Sequence, residues 1–294
     1  MRFGLDVEPR SPSRERGSMR QNKYLQNVLI GATAVLFAGS KITPSMAQSG
    51  PVLQTASAVV TGHAAAGSIV ETAASAKAEA SPLEAKIQSA LTAFKSVTSS
   101  LSSPKALEDA FQSYFAYKAA HPDDVKKPFL YFVDYGLPST RARGYVFDMN
   151  ALSIVDGPFT VAHGRGSSTS QYGLPTKFSN ASRSAATSLG LYVTKALYAF
   201  TGHSAGRTYN SVGLRLDGVS TGFNTNALAR GVVAHGAPYV TSSKAGRSEG
   251  CPAMEPDRAQ KLLPKLAEGS LVFLYAPNPQ WESNDPWVTA GDAN

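Results

Sequence analysis

The sequence predicts a mainly β domain that follows a pair of helices and contains one further helix near its C-terminal end. Short apolar runs bounded by Gly, Pro, Asp and Asn recur between residues 129 and 275, at the spacing typical of an antiparallel sheet. Apolar residues recur at helical spacing over residues 81–121, and a second helical pattern spans residues 256–266. About 150 residues with the β pattern are enough for one domain with its own core.

The first residues carry the features of an export signal followed by a linker. A basic region precedes an apolar stretch at residues 28–38, and "SMA" then places small residues where a signal peptidase cleaves. The stretch is shorter than the about 20 apolar residues that span a bilayer, so residues 1–47 are predicted to be a cleaved signal peptide rather than an anchor. Met19 is an alternative start. Residues 48–80, rich in Ala, Ser, Thr and Gly, are predicted to be a disordered tether.

If the signal peptide is cleaved, the net charge of the mature protein differs from that of the full chain. The chain has a formal net charge of +7, and seven Lys/Arg against three Asp/Glu put four of those charges in residues 1–47. The remaining charge of about +3 gives little electrostatic support to a nucleic-acid partner. We therefore expect an exported protein of the periplasm or cell envelope, without nucleic acid and without a stable membrane span after signal cleavage.

Order is predicted to begin with a helical segment over residues 81–124. Ser81 is a candidate N-cap, with Pro82 in the first turn and Glu84 completing a capping box. The pattern restarts at "SSP" and ends at "HP", which predicts a second helix. The two helices are expected to pair with each other or to cap the domain that follows.

The next domain is predicted over residues 125–277. Its strand-like runs are "FLYFVD", "GYVFDM", "LSIVDG", "FTVAHG", "LGLYVT" and "VGLRLDG". "NTNALARG" predicts one or two helical turns leading into "VVAH", and "SLVFLYAP" predicts a closing strand inside the sheet. Residues 278–294 are polar and are predicted to form a loose C-terminal tail.

Cys251 is the single cysteine of the chain. In an oxidising compartment a lone cysteine is buried and inert, paired with another molecule, or reactive. Its neighbours, from Arg247 to Glu249 and then Pro252, are not core sequence. The context therefore favours a working thiol, which needs a base or a positive field beside it and donors for the oxyanion that it creates.

His235 is the best candidate for that base. It follows the strand-like "GVVA" and precedes Gly236, so it is expected where a strand runs out into a loop. Gly250 has no side chain, which lets the amides of Gly250 and Cys251 approach a bound carbonyl and form an oxyanion hole.

Three further polar residues each have two interpretations. Ser248 either bonds to the loop as a turn residue or supports the imidazole, and Arg247 either is solvated, or lowers the thiol pKa or binds a substrate carboxylate. His163 is a second site residue or, as we favour, a satisfied polar group at a strand end. The sequence argues against a zinc site, because the candidate ligands lack the close pairing that most such sites show: His163, His203, His235 and Cys251. No metal or other cofactor is expected.

Several blocks then identify a resemblance. "FSN…TSLGLY.T", "LRLDG...G.N.NA.ARGVVAHGAPYV" and "GRSEGCPA" occur in one order and closely resemble the L,D-transpeptidase catalytic domain family (YkuD-like), in its exported bacterial branch. The similarity covers roughly residues 129–277. It implies a mainly β sandwich or barrel with a cysteine nucleophile and a histidine partner. Carried over by position, these roles fall on Cys251 and His235, and the pocket is shaped by Gly236, Ser248 and Gly250.

The resemblance also implies a reaction on peptidoglycan stem tetrapeptides. Cys251 would form an acyl-enzyme thioester with release of terminal D-Ala, and an amine would then take the acyl group. Water as acceptor would make the protein an L,D-carboxypeptidase, and a protein amine would make it an anchoring enzyme. The thioester conserves the free energy of the cleaved peptide bond, so no nucleotide or metal is implied.

The chain departs from the commonest pattern of that family at two positions. Many members have His directly before Gly-Cys and Arg or Asn two positions after Cys, where this chain has Glu249 and Ala253. We expect Arg247, with Gly236, to supply substrate contacts in their place. The departures also keep open a non-catalytic peptidoglycan-binding protein of the same fold.

Overall fold

The computed structural model describes residues 81–98 and 100–291. The predicted signal peptide and tether lie outside these residues. Within them, the helices are α1 (Pro82–Phe94), α2 (Ala106–Ala120), α3 (Pro256–Leu266) and the short α4 (Pro279–Glu282). None of the helices in this described part is long and apolar enough to cross a membrane.

Strands dominate the domain, which confirms the predicted mainly β class. In chain order they are β1 (Phe129–Asp134), β2 (Gly144–Asp148), β3 (Ser153–Phe159), β4 (His163–Gly164), β5 (Gly190–Ser204), β6 (Arg207–Gly218), β7 (Val233–Gly236), β8 (Val240–Thr241), β9 (Lys244–Ala245), β10 (Arg247–Ser248), β11 (Ala253–Met254) and β12 (Leu271–Tyr275).

Eight of these strands form one sheet in the order β11-β7-β6-β5-β12-β1-β2-β3, while β10-β4 and β8-β9 form two small sheets. The closing strand β12 lies in the middle of the large sheet, between β5 and β1, as its uniformly apolar sequence predicts. Within the large sheet most pairs are antiparallel, but β1-β12 and β11-β7 are parallel. The β11-β7 pair brings the segment after Cys251 beside His235.

The two N-terminal helices pair with each other and also cover the sheet. Ser81 Oγ accepts the Glu84 amide at 3.2 Å and caps α1 as predicted. The Phe94 ring of α1 lies 5.5 Å from Phe111 of α2 and 4.5 Å from Phe147 of β2, measured between ring centroids. The helices and the sheet therefore share one hydrophobic core.

The predicted loose tail is wrong for residues 278–291. Asn278 caps α4 by accepting the Trp281 amide, and the Trp281 side chain is buried, with 2% exposed. Its indole Nε1 donates to Asp285, and its ring packs 5.7 Å from Phe273 of the central strand. The Trp287 indole of the same segment donates to the Val219 carbonyl at 2.8 Å, so two tryptophans with satisfied N–H groups hold this polar segment against the core.

The hairpin of β5 and β6 extends well beyond the runs that the sequence marks. Its outer part is joined at Ala205–Gly206, where both residues have positive φ, as two-residue hairpin turns require. A register shift between Thr194 and Leu197 separates the inner part from this outer arm. On this arm, the Phe200 ring stacks on the His235 imidazole.

Candidate active site

Cys251 lies in a loop of residues 249–252 whose two ends are held by strand pairs. Before the loop, Arg247 and Ser248 of β10 pair in parallel with β4. After it, Ala253 pairs with His235 of β7, and the Ala162 amide donates to the Ala253 carbonyl at 2.8 Å. The structure thus brings the cysteine loop and the histidine together by strand pairing.

The loop is closed by hydrogen bonds from Ser248. Its Oγ donates to the Cys251 carbonyl at 2.7 Å and accepts the Gly250 amide at 3.1 Å. Of the two interpretations of Ser248, the contacts are those of the turn residue. They also correct the expected oxyanion hole, because the Gly250 N–H is already engaged. The Cys251 N–H makes no hydrogen bond with any described residue and remains the available donor of the pair.

Gly250 is required by the backbone itself. Its φ is +123°, and a Cβ built there would lie 2.8 Å from the Ala186 carbonyl oxygen. Gly164 of β4 is equally confined, since its Cβ would lie 2.8 Å from the Gly250 Cα. Thr187 Oγ1 accepts the Gly164 amide at 3.0 Å and donates to the Gly250 carbonyl at 3.4 Å. Two glycines and one threonine therefore fix the height of the loop above β4.

The His235 imidazole is held in a single tautomer. Nδ1 lies 3.0 Å from the Gly236 carbonyl oxygen, which accepts only, so Nδ1 carries the proton and Nε2 keeps its lone pair. The ring stacks on Phe200 at 4.3 Å between centroids and is 3% exposed. Burial lowers the pKa of His235 to about 4, and the bond to Gly236 offsets only part of that effect. The imidazole is therefore neutral near neutral pH, as a general base must be.

Cys251 is half-buried. Burial raises the pKa of its thiol, and the charge of Glu249 raises it further, whereas the Val233 amide and the charge of Arg230 lower it. No hydrogen bond joins the Cys251 sulfur to His235 in this part of the chain, so the pair is not a preformed thiolate–imidazolium. The arrangement fits a thiol that is deprotonated by the neutral imidazole as it attacks.

Arg230 lies beside the cysteine loop, and the sequence did not mark it. From the turn before β7 its guanidinium donates to the carbonyls of Ser179 at 2.8 Å and Ala186 at 2.7 Å. Its Nη2 also lies 3.4 Å from where a Gly250 Cβ would be. Arg230 thus supports the segment that contacts Gly250 and brings a positive charge near Cys251. The sequence feature that could have identified Arg230 is its position near the end of "NTNALARG", shortly before the strand that carries His235.

His163 is buried behind the loop, in register with Arg247. Its Nδ1 accepts from Arg143 Nη2 at 3.0 Å, because a guanidinium can only donate. Burial, and then the charges of Arg143 and Arg247, lower its pKa to about 3. Nδ1 is a satisfied group, as favoured from the sequence, whereas Nε2 is buried without a partner among the described residues.

Arg247 and Gly236 belong to different strands beside the cysteine loop, β10 and β7. Arg247 Nη1 donates to the carbonyls of Ser168 and Thr169, 2.8 and 3.2 Å away, and lines a cavity of about 330 Å³ with Arg165. Gly236 donates its amide to a serine hydroxyl and is packed too closely for a side chain. Its carbonyl is the group that orients His235.

An exposed ion pair borders the same loop. Arg165 Nε lies 2.6 Å from Glu249 Oε1, with 62% and 71% of the side chains exposed. Such a pair contributes little stability in water. What matters is where the pair lies. It keeps the Glu249 carboxylate against Arg165, and Glu249 is two residues before Cys251 in the chain.

The β5-β6 arm supplies an aromatic wall that the sequence did not predict. Tyr198 and Phe200 alternate along β5, and Tyr209 of β6 lies 6.5 Å from Tyr239 between ring centroids. Burial is the main cause that raises the pKa of Tyr198, Tyr209 and Tyr239, and a negative charge on Cys251 raises it further.

His203, by contrast, is exposed on the outer arm, with its Nδ1 3.3 Å from Thr208 Oγ1. Over residues 81–98 and 100–291, no three His, Cys, Asp or Glu side chains are grouped so that they could hold a metal ion.

Comparison with known families gives one extended match. A model of the "L,D-transpeptidase catalytic domain" family matches residues 98–275, which include α2 as well as the sheet. A comparison with curated protein sequences finds no match.

Solved structures similar to this chain include an L,D-transpeptidase from Mycobacterium smegmatis (16% identity, 51% of this chain and 59% of that one, TM-score 0.30). Others are an L,D-transpeptidase from Mycobacterium tuberculosis H37Rv (15%, 50% and 57%, 0.31) and one from Stackebrandtia nassauensis (19%, 60% and 69%, 0.30). The chain spans less than two thirds of the length of the first two. TM-scores this low add nothing to the assignment, which rests on the family model. The matched residues exceed half of the sequence, and the chain belongs to the L,D-transpeptidase catalytic domain family.

Proposed function

We propose that this protein is a peptidoglycan L,D-transpeptidase that forms an acyl-enzyme thioester on Cys251. The observation that carries the proposal is the pairing of Ala253 with His235, which fixes the cysteine loop beside a neutral imidazole. Membership of the family supports the substrate class, the stem peptides of peptidoglycan.

In the first step the Cys251 sulfur attacks the carbonyl carbon on the L-centre of the third stem residue, and His235 Nε2 takes the thiol proton. The oxyanion is met by the Cys251 N–H. The bond to the fourth residue then breaks, the proton on His235 passes to the departing amine, and D-Ala leaves.

In the second step an acceptor amine attacks the thioester carbonyl. His235 accepts a proton from that amine, the carbon–sulfur bond breaks, and the Cys251 thiol is regenerated. The exchange needs no oxidant and no nucleotide, because the energy of the cleaved amide is conserved in the thioester. We propose a neighbouring stem amine as the acceptor, and the periplasm or cell envelope as the compartment.

Substrate contacts are proposed on both sides of the loop. Arg247 lines the cavity of about 330 Å³ together with Arg165 and Lys177. Because Arg165 is paired with Glu249, the positive charges of Arg247 and Lys177 are the ones that suit a stem carboxylate. Gly236 acts through its carbonyl on His235, while Ser248 and Gly250 shape the loop.

The test is mass spectrometry of the products from a disaccharide-tetrapeptide incubated with the purified protein. A cross-linked dimer is expected, with free D-Ala. Tripeptide alone would indicate the L,D-carboxypeptidase, with water as acceptor. An unchanged substrate that still binds would indicate a non-catalytic peptidoglycan-binding protein.

Two variants assign the roles. Cys251→Ser and His235→Gln are each expected to lower turnover by about 10³-fold or more. His203→Gln is the matched control, because His203 is exposed on the outer arm. Equal losses in His203→Gln and His235→Gln would remove His235 from the mechanism.

A further inference from the structure

A second cleft lies between the helical pair and the C-terminal segment. Its volume is about 510 Å³, and none of its lining residues belongs to the cysteine loop. Six of its lining residues have charged or amide side chains. Four are carboxylates, one is an ammonium group and one is an amide: Glu84, Glu108, Asp109 and Glu282, then Lys105, then Gln112.

Two of these side chains are buried with unsatisfied polar atoms. Asp109 is 8% exposed and Gln112 is 9% exposed, and neither Asp109 Oδ2 nor Gln112 Nε2 has a hydrogen-bond partner among the described residues. Both belong to α2, one helical turn apart. Both residues line the cleft, and a Cβ added to Gly291, another lining residue, would lie 2.6 Å from Gln112 Nε2, so the Gly291 backbone packs against this amide at the wall of the cleft. Unpaired buried groups are costly, and here one is an acceptor and the other a donor.

The negative charge of the cleft is only partly compensated, because its four carboxylates face the single ammonium group of Lys105. None of its four carboxylates forms an ion pair with a Lys or Arg in the described part of the chain. Glu282 accepts from the Tyr275 hydroxyl and Glu84 from the Gln88 amide, whereas Asp109 Oδ2 has no donor. Burial, followed by the negative charge of Glu282, raises the pKa of Asp109 to about 7. A cationic ligand that brings N–H donors would relieve both effects.

We propose that this cleft binds a primary ammonium group next to a carbonyl, as found at the amino end of an amino acid amide or a short peptide. The ammonium donates to Asp109 Oδ2, and the carbonyl accepts from Gln112 Nε2. An organic cation fits better than a metal ion, because the carboxylates of the described chain are not grouped as metal ligands. This function is independent of Cys251.

The test is isothermal titration calorimetry of the full chain carrying Cys251→Ala, which separates binding in this cleft from turnover. L-alaninamide presents both groups, and N-acetyl-L-alaninamide lacks only the ammonium. Saturable binding of the first and none of the second is expected. Asp109→Asn keeps the shape but loses the charge, and should weaken binding by about 10-fold or more. Gln112→Met should also weaken it, while Asp123→Asn, exposed and outside the cleft, should not.

Binding should also depend on pH with a defined sign. The groups that face Asp109 are Lys105 and Glu108 on its own helix, Glu282 and Asp285 on the C-terminal segment, and Glu84 on α1. Between about pH 5.5 and pH 7 the Asp109 carboxyl loses its proton while the ligand amine keeps its own, so affinity should rise about 10-fold. This rise should vanish in Asp109→Asn.

Three results would overturn the proposal. They are no saturable heat with L-alaninamide, equal binding of the acetylated compound, and binding that persists unchanged in Asp109→Asn. A normal thermal transition for each variant establishes that the compared proteins are folded. Failure of the transpeptidase assay would not affect this binding result, because the titrated Cys251→Ala protein has no thiol and cannot carry out the proposed reaction.

Discussion

Arg143 and His163 form a buried pair in which Nη2 of the guanidinium lies 3.0 Å from Nδ1 of the imidazole. Both side chains are fully buried. The same guanidinium donates to the carbonyls of Leu137 and Val161, and its ring partner Tyr135 donates to the Ala162 carbonyl at 3.0 Å. Arg143 thereby fixes the segment that enters β4, and β4 carries one end of the cysteine loop.

Replacing Arg143 by Met is expected to lower the free energy of unfolding by about 3 kcal/mol, because several buried acceptors lose their donors at once. The measurement is chemical denaturation followed by circular dichroism. Arg141→Met is the matched control, since Arg141 is exposed and should change stability by less than about 0.5 kcal/mol. Similar losses in both variants would argue against a structural role for the buried guanidinium.

Gly250→Ala tests the positive φ of the loop and its contact with Ala186. We expect turnover of the tetrapeptide to fall by about 100-fold, because the strained loop moves the Cys251 amide away from the oxyanion. Gly206→Ala is the matched control for the effect of positive φ. Gly206 also has positive φ, +73°, but a Cβ there has open space. It should cost about 1 kcal/mol of stability and leave turnover unchanged. The readouts are product formation and thermal stability of each variant.

Local sequence patterns were sufficient to predict strands and helices whose formation depends on the residues within them. "FLYFVD" became a strand over Phe129–Asp134, and the second helical pattern became a helix over Pro256–Leu266. Cys251 and His235 were predicted as catalytic partners because a reactive thiol requires a base. The structure places their segments side by side by strand pairing, and their catalytic roles remain a proposal.

Other features depend on partners distant in sequence, which no local pattern reports. No local pattern marks Arg143, yet its guanidinium bonds to a carbonyl 18 residues away. Arg230 bonds to a carbonyl 51 residues away. The C-terminal segment has a polar sequence, yet it is ordered by the buried Trp281 side chain and by the Trp287 indole, which donates to a carbonyl 68 residues away. The engaged Gly250 amide could not be foreseen, because Ser248 had two possible partners.

Arg230 is expected to lower the pKa of the Cys251 thiol through its charge. Arg230→Gln should therefore slow alkylation of Cys251 by iodoacetamide several-fold at about pH 8, since less thiolate is present. Arg230→Lys keeps the charge and should recover most of the rate, although it loses the two-pronged contact with Ser179 and Ala186. Equal slowing in both variants would assign the effect to the hydrogen bonds instead of the charge.

Glu249 acts on the same thiol with the opposite sign. Its negative charge raises the pKa of Cys251, so Glu249→Gln should accelerate alkylation at about pH 8. In the unchanged protein the alkylation rate should still be rising at about pH 9, because burial raises the thiol pKa above its ordinary value. Glu268→Gln, away from the loop, controls for net charge. A plateau of the rate below about pH 7 would show instead a preformed thiolate.

Asp109 makes the stability of the fold depend on pH in an unusual direction. Its pKa is raised from 3.8 to about 7, with burial as the main cause, so the protonated form is favoured on folding. The stability that this proton contributes is fully present below the unfolded pKa and is lost as pH rises through the folded one. Asn mimics the protonated side chain. Asp109→Asn should therefore raise the free energy of unfolding by about 1–3 kcal/mol at pH 8 and change it little at pH 4.

Guanidinium denaturation at several pH values measures this difference, with Asp123→Asn as the exposed control. Asp109 lies in the first turn of α2 with Glu108, where a negative charge also gains from the helix dipole by about 0.3–1 kcal/mol. That gain is smaller than the cost of burial, so the net sign favours Asn at alkaline pH. A variant that is less stable than the parent at about pH 8 would mean that the carboxylate finds a donor in the folded protein. The cleft beside it would then lose the unpaired acceptor to which an ammonium group is proposed to bind.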